Sequence, residues 1–192
     1  MKLVQGIGIN DADYEVSSSI NGYRICPYYQ KWKHMLMRAY SDKYKQGKQT
    51  YLDVTVCEEW HLFSTFKAWM ETQDWEGKQL DKDILVFGNK TYSPSACCFV
   101  SNFVNTFVSE NGRGDLPAGV VREKTLFRAR VRYNGKLKSL GYFKSAKDAH
   151  IAWVKSKLEM LPEIIKKESL SPEVSTAIEH RFKMMLQEAE ND

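Results

Sequence analysis

The chain contains no apolar run near the eighteen residues that a membrane-spanning helix needs. It also lacks the charged-then-apolar opening of a secretory leader, so neither membrane insertion nor export is expected. Its four cysteines, Cys26, Cys57, Cys97 and Cys98, show no paired C-x-x-C spacing. That predicts a reduced, cytoplasmic chain with buried free thiols; a structural zinc site built from them is the lesser alternative. No internal repeat is visible. Gly6-Ile7-Gly8 lacks the strand and helix context of a nucleotide loop, so residues 1–24 read as an extended lead-in. Core material is not scarce. Across 192 residues, 43% are hydrophobic and 12% aromatic, enough for one or two domains and too much for a disordered chain.

What is present is concentrated positive charge. From Pro117 to Met160 there are eleven Lys/Arg against three Asp/Glu, while the whole chain is only +4. The remainder is therefore net acidic. Focused charge of this kind is the electrostatic footprint of a phosphate binder. In Phe127-Arg128-Ala129-Arg130-Val131-Arg132 basic and apolar residues alternate, which puts the three arginines on one face of a strand. Asn134-Gly135 is a hairpin signal. The return strand, Lys136 to Leu140, carries Lys136 and Lys138 on one side. Ser145 and Asp148 make a capping box for a helix whose stripe is Ala149, Ala152, Trp153 and Ser156. A short sheet backed by a helix can present such a face to a DNA groove.

Gly119-Val120, Phe127-Arg-Ala-Arg-Val-Arg, Asn134-Gly-Lys, Leu140-Gly-Tyr-Phe and Ala146…Ala149…Ala152-Trp153 together resemble the plant ethylene-response-factor type DNA-binding domain, the AP-two fold. That domain also occurs in phage homing endonucleases. The resemblance implies a three-stranded sheet in the major groove of double-stranded DNA. It places Arg130 and Arg132 at second-strand reading positions, Lys138 on the third strand and Arg122 near the first-strand arginines. Arg128 and Lys136 join the expected DNA contacts by strand alternation. Ser139 stands where the plant pattern has a tryptophan, so base specificity does not carry over.

In the first half, a helix is predicted from Tyr28 to about Tyr44, with Trp32, Met35, Leu36, Ala39 and Tyr40 as its buried stripe. A second is predicted from Glu58 to Thr72, with Trp60, Phe63, Phe66, Trp69 and Met70 turned inward as core. Residues 79–92 read as strand, turn and short strand. Ser93-Pro94 then opens a helix running to about Val108. Such a strand–turn–strand–helix, with Asp81 on the strand and Asn105 on the helix, could hold one Mg²⁺ or Mn²⁺ for phosphodiester hydrolysis.

Cys57-Glu-Glu-Trp60, Leu80-Asp-Lys-Asp-Ile-Leu85, Gly88-Asn-Lys90, Tyr92-Ser-Pro94 and Cys98-Phe-Val100 resemble phage-encoded HNH-type endonucleases with a ββα-metal unit. The resemblance puts Asp81 at the metal-binding acid, Asn89 near the structural asparagine of the turn, and Asn105 (Asn102 as second choice) as the candidate helix-borne ligand. The general-base histidine is Lys82 here. A lysine at its ordinary pKa is protonated at pH 7 and takes no proton from water. It can steady a phosphate, or act as a base only if strongly desolvated beside another cation. Asp83 is a weak substitute base, expected on the same strand face as Asp81.

The expected fold is therefore α+β. A degenerate HNH-like module (25–110) precedes a linker (111–118), and an AP-two type sheet on one helix (119–161) precedes an acidic C-terminal helix (162–192). The Val174, Ile178, Phe182 and Met185 stripe of that last helix suits packing on the protein or a homodimer contact. The expected function is double-stranded DNA binding in the cytoplasm of an infected bacterium, with metal-dependent nicking or cleavage. The alternative is a regulator, or an inhibitor of a host protein, on a nuclease scaffold that no longer cuts.

Overall fold

The computed structural model describes residues 3–19, 24–109, 115–133 and 135–191. The protein is α+β and divides into two compact units, 1–100 and 101–192.

In the first unit, β1 (Ser17–Ser18) pairs with β2 (Arg24–Ile25). α1 (Pro27–Tyr40) opens with proline at its first position and buries Trp32, Met35, Leu36 and Ala39. The long first helix expected to reach Tyr44 breaks at Ser41. The Ser41 hydroxyl accepts the Tyr44 N–H and so caps a separate short helix, α2 (Asp42–Lys45). The second expected helix also breaks. Glu58–His61 is a 3₁₀ turn, Leu62 is extended, and α3 spans Phe63–Glu71. Ile9 causes the break, because its N–H donates to His61 O and its carbonyl accepts from Phe63 N. Ile9, within the expected extended lead-in, is thus docked on the start of α3. Asp11 also accepts the Ser64 N–H, which steadies the first turn of α3.

α1 and α3 build the core of this unit. Trp32, Phe63, Phe66, Met70, Val54, Leu80 and Tyr92 are buried together, and Trp32 Nε1 donates to Trp60 O at 2.7 Å. The aromatic run that reads as core in the sequence is core, with Trp69 only partly covered.

The expected helix from Ser93 to Val108 is a correction. A turn follows Ser93, then β6 (Cys98–Val100), and only then α4 (Asn102–Val108), capped by the Ser101 hydroxyl. β6 pairs antiparallel with β4 (Gln79–Asp81), whereas β5 (Thr91–Tyr92) pairs in parallel with β3 (Thr55–Val56). β4 and β5 therefore form no hairpin.

α4 belongs to the second unit, so the expected module edge near 110 falls a helix too late. Phe107 of α4 sits edge-on to Phe182 at 5.6 Å, and its carbonyl accepts from Lys157 Nζ at 2.6 Å. The first four residues of the expected linker lie outside the described residues. β7 (Val120–Glu123), β8 (Leu126–Tyr133) and β9 (Lys136–Phe143) form one antiparallel sheet in that order. Asn134 of the hairpin signal lies outside the described residues. α5 (Ala146–Glu168) packs on the sheet, capped by Ser145 as its sequence predicts. Pro162 does not end it. Proline removes one N–H donor, yet Leu161 and Ile164 remain buried on either side and the helix continues to Glu168. The expected boundary at 161/162 therefore cuts a continuous helix. α6 (Pro172–Asn191) buries Val174, Ile178 and Phe182, and Phe182 meets Trp153 of α5 at 6.4 Å. Its stripe is spent inside the unit. No helix among the described residues is long and apolar enough to cross a membrane.

Candidate functional site

Two regions carry the candidate residues: the outer face of the β7-β8-β9 sheet, and the loop that follows Asp81.

On the sheet, Ala129 and Val131 of β8 are buried toward α5, so Arg128, Arg130 and Arg132 point away from it. Residues directly opposite in an antiparallel pair share a face. Val121 faces Arg128 from β7, and Tyr142 faces it from β9. Arg128 is partly spent. It pairs with Glu123 at 2.6 Å and lies 5.9 Å from the centre of the Tyr142 ring. Arg132 donates to Gly135 O at 3.4 Å. Among the described residues no carboxylate pairs with Arg130 or Arg132.

The other expected DNA contacts do not share this face. The register slips by one residue between Ala129 and Arg130: Ala129 pairs with Gly141, Arg130 with Ser139. Leu140 is the extra residue of a β-bulge, next to Gly141 at φ +130°. Beyond the bulge, Lys138 faces Val131 and Lys136 faces Tyr133, while Ser139 and Leu137 stand opposite Arg130 and Arg132. Simple alternation from Phe143 puts the lysines beside the arginines; the bulge turns them to the other side. Arg122 also leaves the set. It pairs with Phe127, and its guanidinium stacks 4.9 Å from that ring, on the side of α5. Conversely Tyr142 (55% exposed) and Leu137 (52%) join the outer face, which the sequence reading missed. The isolated glycine after Leu140 was the available signal, since a lone strand glycine often marks a bulge.

Gly119 fixes how closely the sheet meets α5. Its φ is +78°, and a Cβ there would lie 2.1 Å from the Trp153 indole.

At the end of β4, the Asp81 carboxylate turns back on its own chain. Oδ1 accepts the N–H groups of Asp83 and Ile84, both at 2.8 Å. Burial first, and the nearby Asp83 second, push its pKa up to about 6. Lys82 is only 8% exposed, and its Nζ donates to Asn89 O at 3.1 Å and Asp83 Oδ2 at 3.2 Å. Asn89 closes the loop. Its Nδ2 donates to Lys82 O at 2.6 Å and Thr91 O at 2.7 Å, and its Oδ1 accepts from Thr91 N. The asparagine marked by the HNH resemblance therefore has a clear structural job. Asp83 lies past the strand, not on it.

This donor set is a poor match to a hard divalent cation, which takes about six oxygen ligands. Asp81 Oδ1 already accepts two N–H groups, and an ammonium sits against Asp83 where a metal would have to compete. Asn105, the expected second ligand, stands on α4 in the other unit, as does Asn102. Among the described residues no group of three or more His, Cys, Asp or Glu could hold a metal ion. The four thiols are free. Burial pushes Cys57 up to about 11 and Cys98 to about 12, and raises Cys97 as well.

No family model, curated protein or solved structure matches the chain.

Proposed function

We propose that the protein binds double-stranded DNA through the outer face of β7-β8-β9, and that the Asp81 loop is a nuclease-like scaffold serving the fold rather than a cutting centre. One observation carries the first part. Arg128, Arg130 and Arg132 share the sheet face opposite α5, and the last two have no carboxylate partner among the described residues. Arginine suits bidentate contact with guanine edges and phosphates alike. Shape favours DNA over RNA. Three strands span about 10 Å, within the roughly 12 Å major groove of B-DNA, whereas the A-form major groove is too narrow to read.

The second part rests on the internal use of Asp81, Lys82 and Asp83. A base must be free to take a proton and a ligand free to take a metal. Here the first holds a turn, and the other two hold each other. The competing reading is a metal-dependent nickase, with Asp81 and Asn105 as ligands and Lys82 or Asp83 assisting. Supercoiled DNA incubated with Mg²⁺ or Mn²⁺ separates the two. No nicking by the native chain is expected; nicking that disappears in Asp81→Ala would establish the enzyme instead.

Binding has its own test. Arg130→Ala combined with Arg132→Ala is expected to weaken duplex binding at least about tenfold. It should also flatten the dependence of log K on log salt by up to about two. Electrophoretic shift or anisotropy at several salt concentrations reads both. An unchanged affinity and salt slope would remove the sheet from the interface.

A further inference from the structure

The first unit contains a second cationic feature, unrelated to the sheet. Lys31, His34 and Arg38 stand at i, i+3 and i+7 along α1, on one face of the helix. With Met37, Tyr44, Gln79 and Leu80 they line a cavity of about 220 Å³. This is smaller than the roughly 300–1,000 Å³ of pockets that take drug-sized ligands. It suits one small polyatomic ion with water rather than a whole nucleotide.

The fold leaves the cavity's charge unmatched. Lys31 Nζ donates to Lys78 O; Arg38 Nε donates to His34 O at 3.3 Å, and its Nη1 to Leu80 O at 3.5 Å. Arg38 also lies 5.4 Å from the Tyr92 ring centre. Every one of these partners is uncharged. No carboxylate lines the cavity, and none lies within ion-pair distance of Lys31 or Arg38 among the described residues. Lys31 and Arg38 are half-buried and His34 is exposed, so the cluster is partly desolvated but open to a small ion from solvent. Lys31 and His34 both feel the Arg38 guanidinium, which, despite burial, is itself held above its ordinary value by Tyr92, Tyr51 and Tyr44. Burial, then Arg38, lowers the Lys31 pKa; burial, then Arg38, Lys31 and Lys33, lowers that of His34. An ammonium, a guanidinium and an imidazole around a small cavity are the donor set of a tetrahedral oxyanion site.

We infer that the cavity between α1 and β4 is a phosphate site, which takes a single phosphate group through Lys31, His34 and Arg38. The group could belong to a DNA backbone or to a free phosphate. The inference does not depend on the sheet's function, since inorganic phosphate is its probe.

The test uses the full chain and the imidazole resonances of its four histidines in NMR. Inorganic phosphate is titrated against sodium chloride at equal ionic strength. A saturable response of His34, absent with chloride and absent at His180 on the second unit, is expected. Lys31→Gln should weaken it about tenfold, the value of one charge-assisted hydrogen bond. Lys33→Gln, an exposed neighbour outside the lining, should weaken it much less. Lys31 is chosen because Arg38→Gln could disturb folding. A response that follows ionic strength alone, or falls equally in both variants, would overturn the site. A second arm adds a short duplex without terminal phosphates. If His34 responds, the source is the DNA backbone; if only inorganic phosphate moves it, the source is a free phosphate. Loss of duplex binding in the Arg130/Arg132 variant, with the phosphate response intact, keeps the two proposals separate.

Discussion

At the end of β4, Asp81 is an acceptor first and a charge second. Its pKa of about 6, against an ordinary 3.8, means that the folded chain binds more protons than the unfolded chain between those values. This carboxyl's contribution to stability therefore falls as pH rises from about 4 to about 6. Asp81→Asn keeps an oxygen for the Asp83 and Ile84 N–H groups and removes the charge. Urea unfolding midpoints across pH 4–8 should show that fall flattened, with no loss of stability at pH 7. Asp81→Ala strands two N–H groups and should cost about 1–3 kcal/mol at any pH. Gly119 gives a steric counterpart. Gly119→Ala combines a left-handed backbone with a methyl driven into the Trp153 ring. It is expected to lower stability by about 2–5 kcal/mol in denaturant titrations.

Among the elements, the β8–β9 ladder determines which cations act together. Lys136→Ala with Lys138→Ala removes two positive charges, as the Arg130/Arg132 double variant does. It should nevertheless reduce duplex affinity several-fold less, because these lysines stand on the Val131 and Tyr133 side. Equal losses in a binding titration would mean that charge count, not face, governs affinity. The same ladder marks how far the sequence could be read. The arginine face of β8 was legible, because Phe127, Ala129 and Val131 alternate strictly with it. So were the Ser145 cap and the α1 stripe, which depend on spacing within one element. The lysine face was not, because a bulge is a property of two strands and only Gly141 hinted at it. The break at Leu62 has a similar origin, since Ile9 bonds to residues on either side of it and local periodicity is blind to so distant a partner. The break at Ser41 is instead a local cap, hidden by the apolar stripe that runs through it. At the candidate site, the types and positions of Asp81, Lys82 and Asn89 were legible. That they bond to each other and to their own backbone was not.

For the molecule as a whole, the division at Val100/Ser101 assigns α4 to the C-terminal unit, where Val104, Phe107 and Val108 are buried. A fragment beginning at Ser101 should melt cooperatively by circular dichroism. One beginning at Gly119, as a sheet-and-helix boundary would suggest, deprives Phe182 of its edge contact and Lys157 of its acceptor. It should be less stable by about 3 kcal/mol or more. If the two melt alike, α4 is not part of that unit's core.

The extra residue at Leu140 works as a parity switch. Each side chain of β9 before it is out of phase with those after it, so the strand's two halves have opposite insides. Deleting Leu140 would remove the bulge yet leave Ser139 opposite Arg130 and Lys138 opposite Val131, so the arginine face would keep its serine and leucine neighbours. Only drawing Leu140 into the ladder opposite Arg130 would carry Lys138 across to Arg132 and turn the narrow arginine stripe into a broader cationic surface. The breadth of the cationic face is thus governed by one residue left out of the ladder and by no arginine.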